Sequence, residues 1–197
     1  FSTGMRVSEL VSLNLDNIDE LKMTDAIEIG EYVVKNYPKD NSIVTYILLG
    51  NHDFRTIATQ GFDISTLISN SRLDMEFLGY NNATIELHKD SIGLQHPATI
   101  KSHTIFDEEF DQYYEKMIAK PPICIRGHMH DSLFYPFNDR IVICAPSLYN
   151  NSAGKPLGAW DITLYFNSQS KIDNVELQSL VVEPKIVPGT KIFHKVK

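Results

Sequence analysis

The stretch TYILLGNHDFR, Thr45 to Arg55, passes from apolar to polar in a single step. Ile43 to Leu49 is a near-continuous apolar run, the pattern of a strand buried on both faces. It ends abruptly in Gly-Asn-His-Asp. Open α/β sheets bind ligands at the carboxyl ends of their strands, where connecting loops gather over a rigid platform. Residues 50–53 are therefore a candidate site, and polar side chains at other strand ends are candidates to complete it.

Several such ends exist. ATIELH (Ala83–His88) alternates as a half-buried strand does. SIGLQHP reads as a short strand stopped by Pro97, with His96 at its end. PPICIRG is a strand that runs into GHMH, and IVICAPS is another. AWDITLYF and VELQSLVVEP follow, with a polar turn between them that predicts antiparallel pairing, and a further short apolar stretch lies beyond Ile186. Helical spacing of Ile18, Leu21, Ala26, Ile29, Val33 and Val34 predicts a helix over Asp16–Tyr37, stopped by Pro38. A second helix is expected over Phe106–Ala119. Phe54–Leu78 reads as a loop with one or two short helices. Phe1–Gly4 is loop-like, and Val7–Leu15 fits either a helix or an extended segment. This order, mixed α and β early and strands late, predicts a layered α/β sandwich with mixed sheets.

Bulk composition narrows the class. The chain has 197 residues, 43% of them hydrophobic, and a net charge of −7, which suits one domain over residues 1–197. No basic stripe of the kind that holds nucleic acid is evident, so nucleic acid is not indicated by charge. The two cysteines, Cys124 and Cys144, sit in apolar runs and read as reduced core thiols. No run approaches a membrane span and the first residues carry no signal pattern, so a cytoplasmic setting without membrane contact is expected.

Imidazole at three separate strand ends (His52, His96 and the pair His128 and His130) invites a metal ion. Neutral imidazole suits Zn, Mn or Fe, and the harder amide oxygen of Asn51 favours Mn or Fe(II). In extended backbone, residues two apart point the same way, so His128 and His130 are expected to face one site. Gly127 leaves room for close backbone approach. His-x-His alone is a weak motif; GNHD after an apolar run is more specific.

GNHD (50–53), a single histidine after a strand (His96) and GHMH (127–130), in this order, resemble the last three motifs of the calcineurin-like metallophosphoesterases, over roughly residues 1–160. The leading segment FSTGMRVSELVSLNLDNIDE more loosely resembles the branch near the archaeal D-family DNA polymerase small subunit. The resemblance implies a four-layer α/β/β/α sandwich of two mixed sheets and a dinuclear metal site. Its two divalent ions would be Mn2+, with Fe, Zn or Ni as alternatives. It also implies that Asn51, His96 and His128 bind the second metal and that His130 binds the first. His52 would protonate the leaving oxygen or steady the transition state, with Asp53 orienting it. The two ions would clamp the phosphoryl group of a phosphoester substrate while a bridging hydroxide attacks in line.

The family's first two motifs, Asp-x-His and Gly-Asp-x-x-Asp, are missing. No Asp in the sequence is followed two residues later by His, and no Gly is followed by Asp. Those motifs precede the matching segment in the family, so they, and the strands that bear them, are expected before Phe1. Three functions are then in competition: a phosphodiesterase or phosphatase, a DNA-directed nuclease of the same superfamily, and a non-catalytic scaffold that keeps the fold. Arg55 and Tyr149, with Asn150 beside it, are candidate substrate contacts. His88, His103 and His194 match no motif and read as ordinary histidines. Trp160 reads as core packing, and DEEFDQYYEK as a solvated helix face.

Overall fold

The computed structural model describes residues 4–7, 25–40, 42–99, 102–115, 117, 120–147, 156–180 and 191–195. In chain order the elements are β1 (Gly4–Val7), α1 (Ala26–Asn36), β2 (Thr45–Leu49), α2 (Asn51–Gln60), α3 (Ile64–Ser71), β3 (Met75–Tyr80), β4 (Asn82–Leu87) and β5 (Asp90–Gln95). They continue with α4 (His103–Tyr114), β6 (Ile123–Arg126), β7 (Leu133–Phe137), β8 (Arg140–Cys144), β9 (Trp160–Phe166), β10 (Ile172–Ser179) and β11 (Lys191–Lys195).

A mixed sheet of order β4-β5-β6-β8-β7 carries parallel β5, β6 and β8 at its centre and antiparallel β4 and β7 at its edges. The second sheet, β1-β9-β10-β11, is antiparallel throughout its described pairings, as the polar turn between its last long strands predicts. Ile85, Ile92, Leu94, Ile123, Ile125, Ile141 and Ile143 of the first sheet meet Ile162, Leu164, Phe166, Val175 and Leu177 of the second, forming the inter-sheet core. Alternation then turns Cys124, Val142 and Cys144 to the other face, where Phe110 and Tyr114 of α4 cover them. Both cysteines are free and buried, as their apolar surroundings imply.

Parallel β2 and β3 extend the same layer. Ile47, Leu49 and Met75 pack against α1 and α3, while Tyr46, Leu48 and Leu78 pack on the inter-sheet core. The expected α/β sandwich with facing sheets is thus present. Helices α1 and α3 pack on β2 and β3, and α4 packs on the mixed sheet, each on the face turned away from the inter-sheet core.

Several local expectations change. The helix expected over 16–37 is broken at Asp25, whose extended backbone (φ −89°, ψ 128°) and carboxylate, accepting from Ile27 N and Glu28 N, make it an N-cap. Helix α1 therefore starts at Ala26, and residues 16–24 lie outside the described set. Its end is as expected: Tyr37, before Pro38, is extended. Three strands escaped the sequence pattern: β1 begins at Gly4, within the segment read as a loop, and pairs with β9, and β3 and β7 were not expected. Gly79 (φ 129°) and a register shift blur the periodicity of β3, and Pro136 sits within β7, which it can occupy because β7 is an edge. Helix α4 runs His103–Tyr114 rather than 106–119.

Candidate metal centre

Strand β2 ends at Leu49, Gly50 is the N-cap, and Asn51 already belongs to α2. The polar residues after the strand are thus the first turn of a helix. Asp53 is buried and its Oδ2 accepts from Gly50 N at 2.7 Å, so this carboxylate closes the turn that presents Asn51 and His52. Gly50 is required for steric reasons: a Cβ there would lie 2.3 Å from Cδ2 and Nε2 of His96. The histidine after β5 therefore packs its ring directly on the β2–α2 junction.

Three side chains meet at that junction. His96 Nε2 lies 3.2 Å from Asn51 Oδ1, and His128 Nδ1 lies 3.2 Å from the same oxygen. The two rings are nearly perpendicular, with centroids 5.4 Å apart. His96 is buried; desolvation first, then the nearby His128, His130 and His52, push it down to about 3. The ring is consequently neutral at neutral pH, and the neutral imidazole is the form that binds a metal. His52 and His130 lie near enough to His96 to act on it electrostatically.

The donor set fits a divalent ion. Two imidazole nitrogens and an amide oxygen, the nitrogens each within hydrogen-bonding distance of the oxygen, are donors that would suit a divalent ion. Among the described residues no three His, Cys, Asp or Glu side chains converge as a metal site; the trio is completed by an amide oxygen.

One expectation about GHMH does not hold. His128 (φ 74°) and His130 (φ 55°) both adopt the left-handed backbone conformation, not the extended one that would aim them by strand alternation. Tight local turns place them instead: Gly127 N donates to Gln95 O at 2.9 Å and Met129 N to Gly127 O at 3.0 Å.

Among the other candidates, Arg55 is exposed one turn along α2 from Asn51. Tyr149 and Asn150 lie outside the described residues. His88 sits in a turn (φ 56°) with its ring on Phe166, and His194 is in β11. His103 is more engaged than an ordinary histidine: its Nε2 is 3.3 Å from Asp131 Oδ2 and its Nδ1 3.8 Å from Cys144 Sγ. Trp160 is half-buried, edge-on to Phe134, and donates to Cys144 O.

The reading of DEEFDQYYEK as a solvated face fails at Asp107, which is buried and receives Arg126 Nη2 at 2.6 Å. Arg126 also donates to Gln95 Oε1 at 2.7 Å and to Tyr135 Oη at 2.9 Å. Two signals in the sequence point to this cluster. Asp107 shares a helical stripe with Phe110 and Tyr114, and the arginine in the strand ICIRG needs a buried anion.

Comparison with solved structures gives remote likenesses, each at a TM-score below 0.5. A predicted phosphoesterase from Streptococcus pneumoniae TIGR4 is 12% identical, over 87% of this chain and 91% of that one, with a TM-score of 0.44. A novel archaeal phosphodiesterase is 10% identical over 79% and 76%, at 0.46. Vacuolar protein sorting 29 of Cryptosporidium parvum is 10% identical over 99% of both chains, at 0.48. Two of the three are named as phosphoesterases and the third as a vacuolar sorting protein. The looser likeness to the D-family polymerase small subunit gains no support from them. No family model and no curated protein matches the chain.

Proposed function

We propose that the chain is a metal-dependent phosphoester hydrolase in which Asn51, His96 and His128 hold one divalent ion and His130 contributes to a second. The observation that carries this reading is the convergence of two imidazole nitrogens on one amide oxygen, each at 3.2 Å, from three separate strand ends. Divalent ions at such a site, Mn2+ foremost, supply Lewis acidity toward the phosphoryl group and a nucleophile at neutral pH. The chain's own residues do the rest. His52, exposed at the start of α2, delivers a proton to the leaving oxygen, and Asp53 holds the turn that presents it. Arg55, one turn further on, meets the non-bridging oxygens.

The test is hydrolysis of an aryl phosphodiester, an aryl phosphomonoester, and single- and double-stranded DNA by the full chain with Mn2+. His52→Ala is expected to lower turnover by about 10²–10⁴ with metal binding unchanged. Unchanged turnover refutes the role of His52. A second reading, a scaffold that binds metal without turnover, is favoured by one observation: the sequence contains neither Asp-x-His nor Gly-Asp. Metal binding with no hydrolysis of any substrate in the panel selects it.

A further inference from the structure

We propose that Arg126, Asp107, Gln95 and Tyr135 form a positioning device that sets His96 and His128 relative to each other. This rests on the reading of those histidines as metal ligands. Arg126 is fully buried, and each of its three guanidinium nitrogens donates a hydrogen bond. Nε donates to Gln95 Oε1 at 2.7 Å, Nη2 to Asp107 Oδ1 at 2.6 Å and Nη1 to Tyr135 Oη at 2.9 Å. The Tyr135 hydroxyl donates onward to the Asp107 carboxylate, 3.0 and 3.1 Å from its two oxygens, and Gln95 Nε2 donates to Phe106 O at 3.1 Å.

The placement of the cluster argues for its role. Gln95 and Arg126 are register partners at the last positions of parallel β5 and β6. The chain leaves Gln95 directly into His96, and leaves Arg126 through Gly127 into His128. The cluster therefore ties the two ends that carry the ligands to each other, to α4 through Asp107 and to β7 through Tyr135. Phe106 reaches both parts: its ring lies 5.5 Å from the Arg126 guanidinium carbon and edge-on to His128 at 6.5 Å. Stability alone does not call for this arrangement, because apolar residues of similar volume often replace a buried ion pair without loss. A ligand pair that must meet one oxygen at 3.2 Å from two strands does need its strand ends fixed, and groups behind metal ligands act in that way.

The test uses the full chain, Tyr135→Phe, and the apolar triple Asp107→Leu/Arg126→Met/Tyr135→Phe. Readouts are the Co2+ dissociation constant, the visible spectrum of the bound Co2+, thermal unfolding, and the ¹⁵N imidazole shifts of His96 and His128 without metal. In Tyr135→Phe, Co2+ is expected to bind about tenfold or more weakly, with shifted ring signals, and the melting temperature falls modestly because Arg126 and Asp107 each lose a hydrogen bond. The triple is expected to keep its stability and show the same loss. Unchanged ring shifts and Co2+ affinity in folded Tyr135→Phe overturn the proposal, whether or not the triple folds. Failure of the parent chain to bind Co2+ overturns the metal reading instead, and the metal-free ring shifts then still decide whether the cluster positions the two histidines.

Discussion

Replacing Gly50 with alanine sets a Cβ 2.3 Å from both Cδ2 and Nε2 of His96 and 2.7 Å from Cε1. The backbone at Gly50 (φ −109°, ψ −164°) is open to any residue, so the substitution brings no torsional strain and acts through the ring alone. Ordinary contact begins near 3.4 Å, so the ring must retreat by about 1 Å. Its Nε2 then loses the 3.2 Å relation to Asn51 Oδ1. Overpacking of this size costs about 1–3 kcal/mol of stability. A misplacement of about 1 Å at a reacting centre costs about 10²-fold in turnover. Gly50→Ala is therefore expected to fold, to bind Co2+ or Mn2+ at least about tenfold more weakly, and to lose about 10²-fold in kcat. Gly30→Ala is the control: its Cβ intrudes to 2.5 Å on Leu67 Cδ2 at the α1–α3 contact, far from the histidines. It should leave metal affinity unchanged. Calorimetric titration and hydrolysis of an aryl phosphodiester measure both. A folded Gly50→Ala protein with parental affinity and turnover refutes the packing of His96 on the β2–α2 junction.

Asp74 makes stability depend on acid. Arg72 donates to both of its oxygens, at 2.6 and 2.8 Å, and this hydrogen bonding holds the carboxyl down to about 2. Because the folded value lies below the unfolded one, the contribution is complete above about pH 4 and disappears as pH falls through about 2. Urea denaturation of Asp74→Asn should show a loss of about 1 kcal/mol at pH 7 that narrows below pH 4; a loss independent of pH contradicts the pair. Burial pushes the thiols of Cys124 and Cys144 up to about 12. Iodoacetamide at pH 8 should label neither in the native protein and both in urea, and rapid native labelling would place a thiol at the surface.

Much of the site was legible because its parts are local. A strand end shows as an apolar run giving way to Gly, Asn, His or Asp, and that change of periodicity marks Asn51, His52, His96, His128 and His130 without reference to the rest of the chain. Other features were hidden for specific reasons. Asp25 caps a helix within what reads as a continuous apolar stripe. Asp107 sits in a run of charges that masks the stripe it shares with Phe110 and Tyr114, and it is buried against Arg126. The left-handed turns at His128 and His130 replace the strand alternation that the spacing suggested.

The sequence by itself determined which residues are candidates for the chemistry, since apolar patterning and motif order need only near neighbours. Tertiary structure alone decided that His96 and His128, 45 and 77 residues from Asn51, converge on one oxygen, and that a buried arginine lies behind them. Those distances depend on which strands pair. Pairing follows from the packing of the whole core, and no local pattern carries that information.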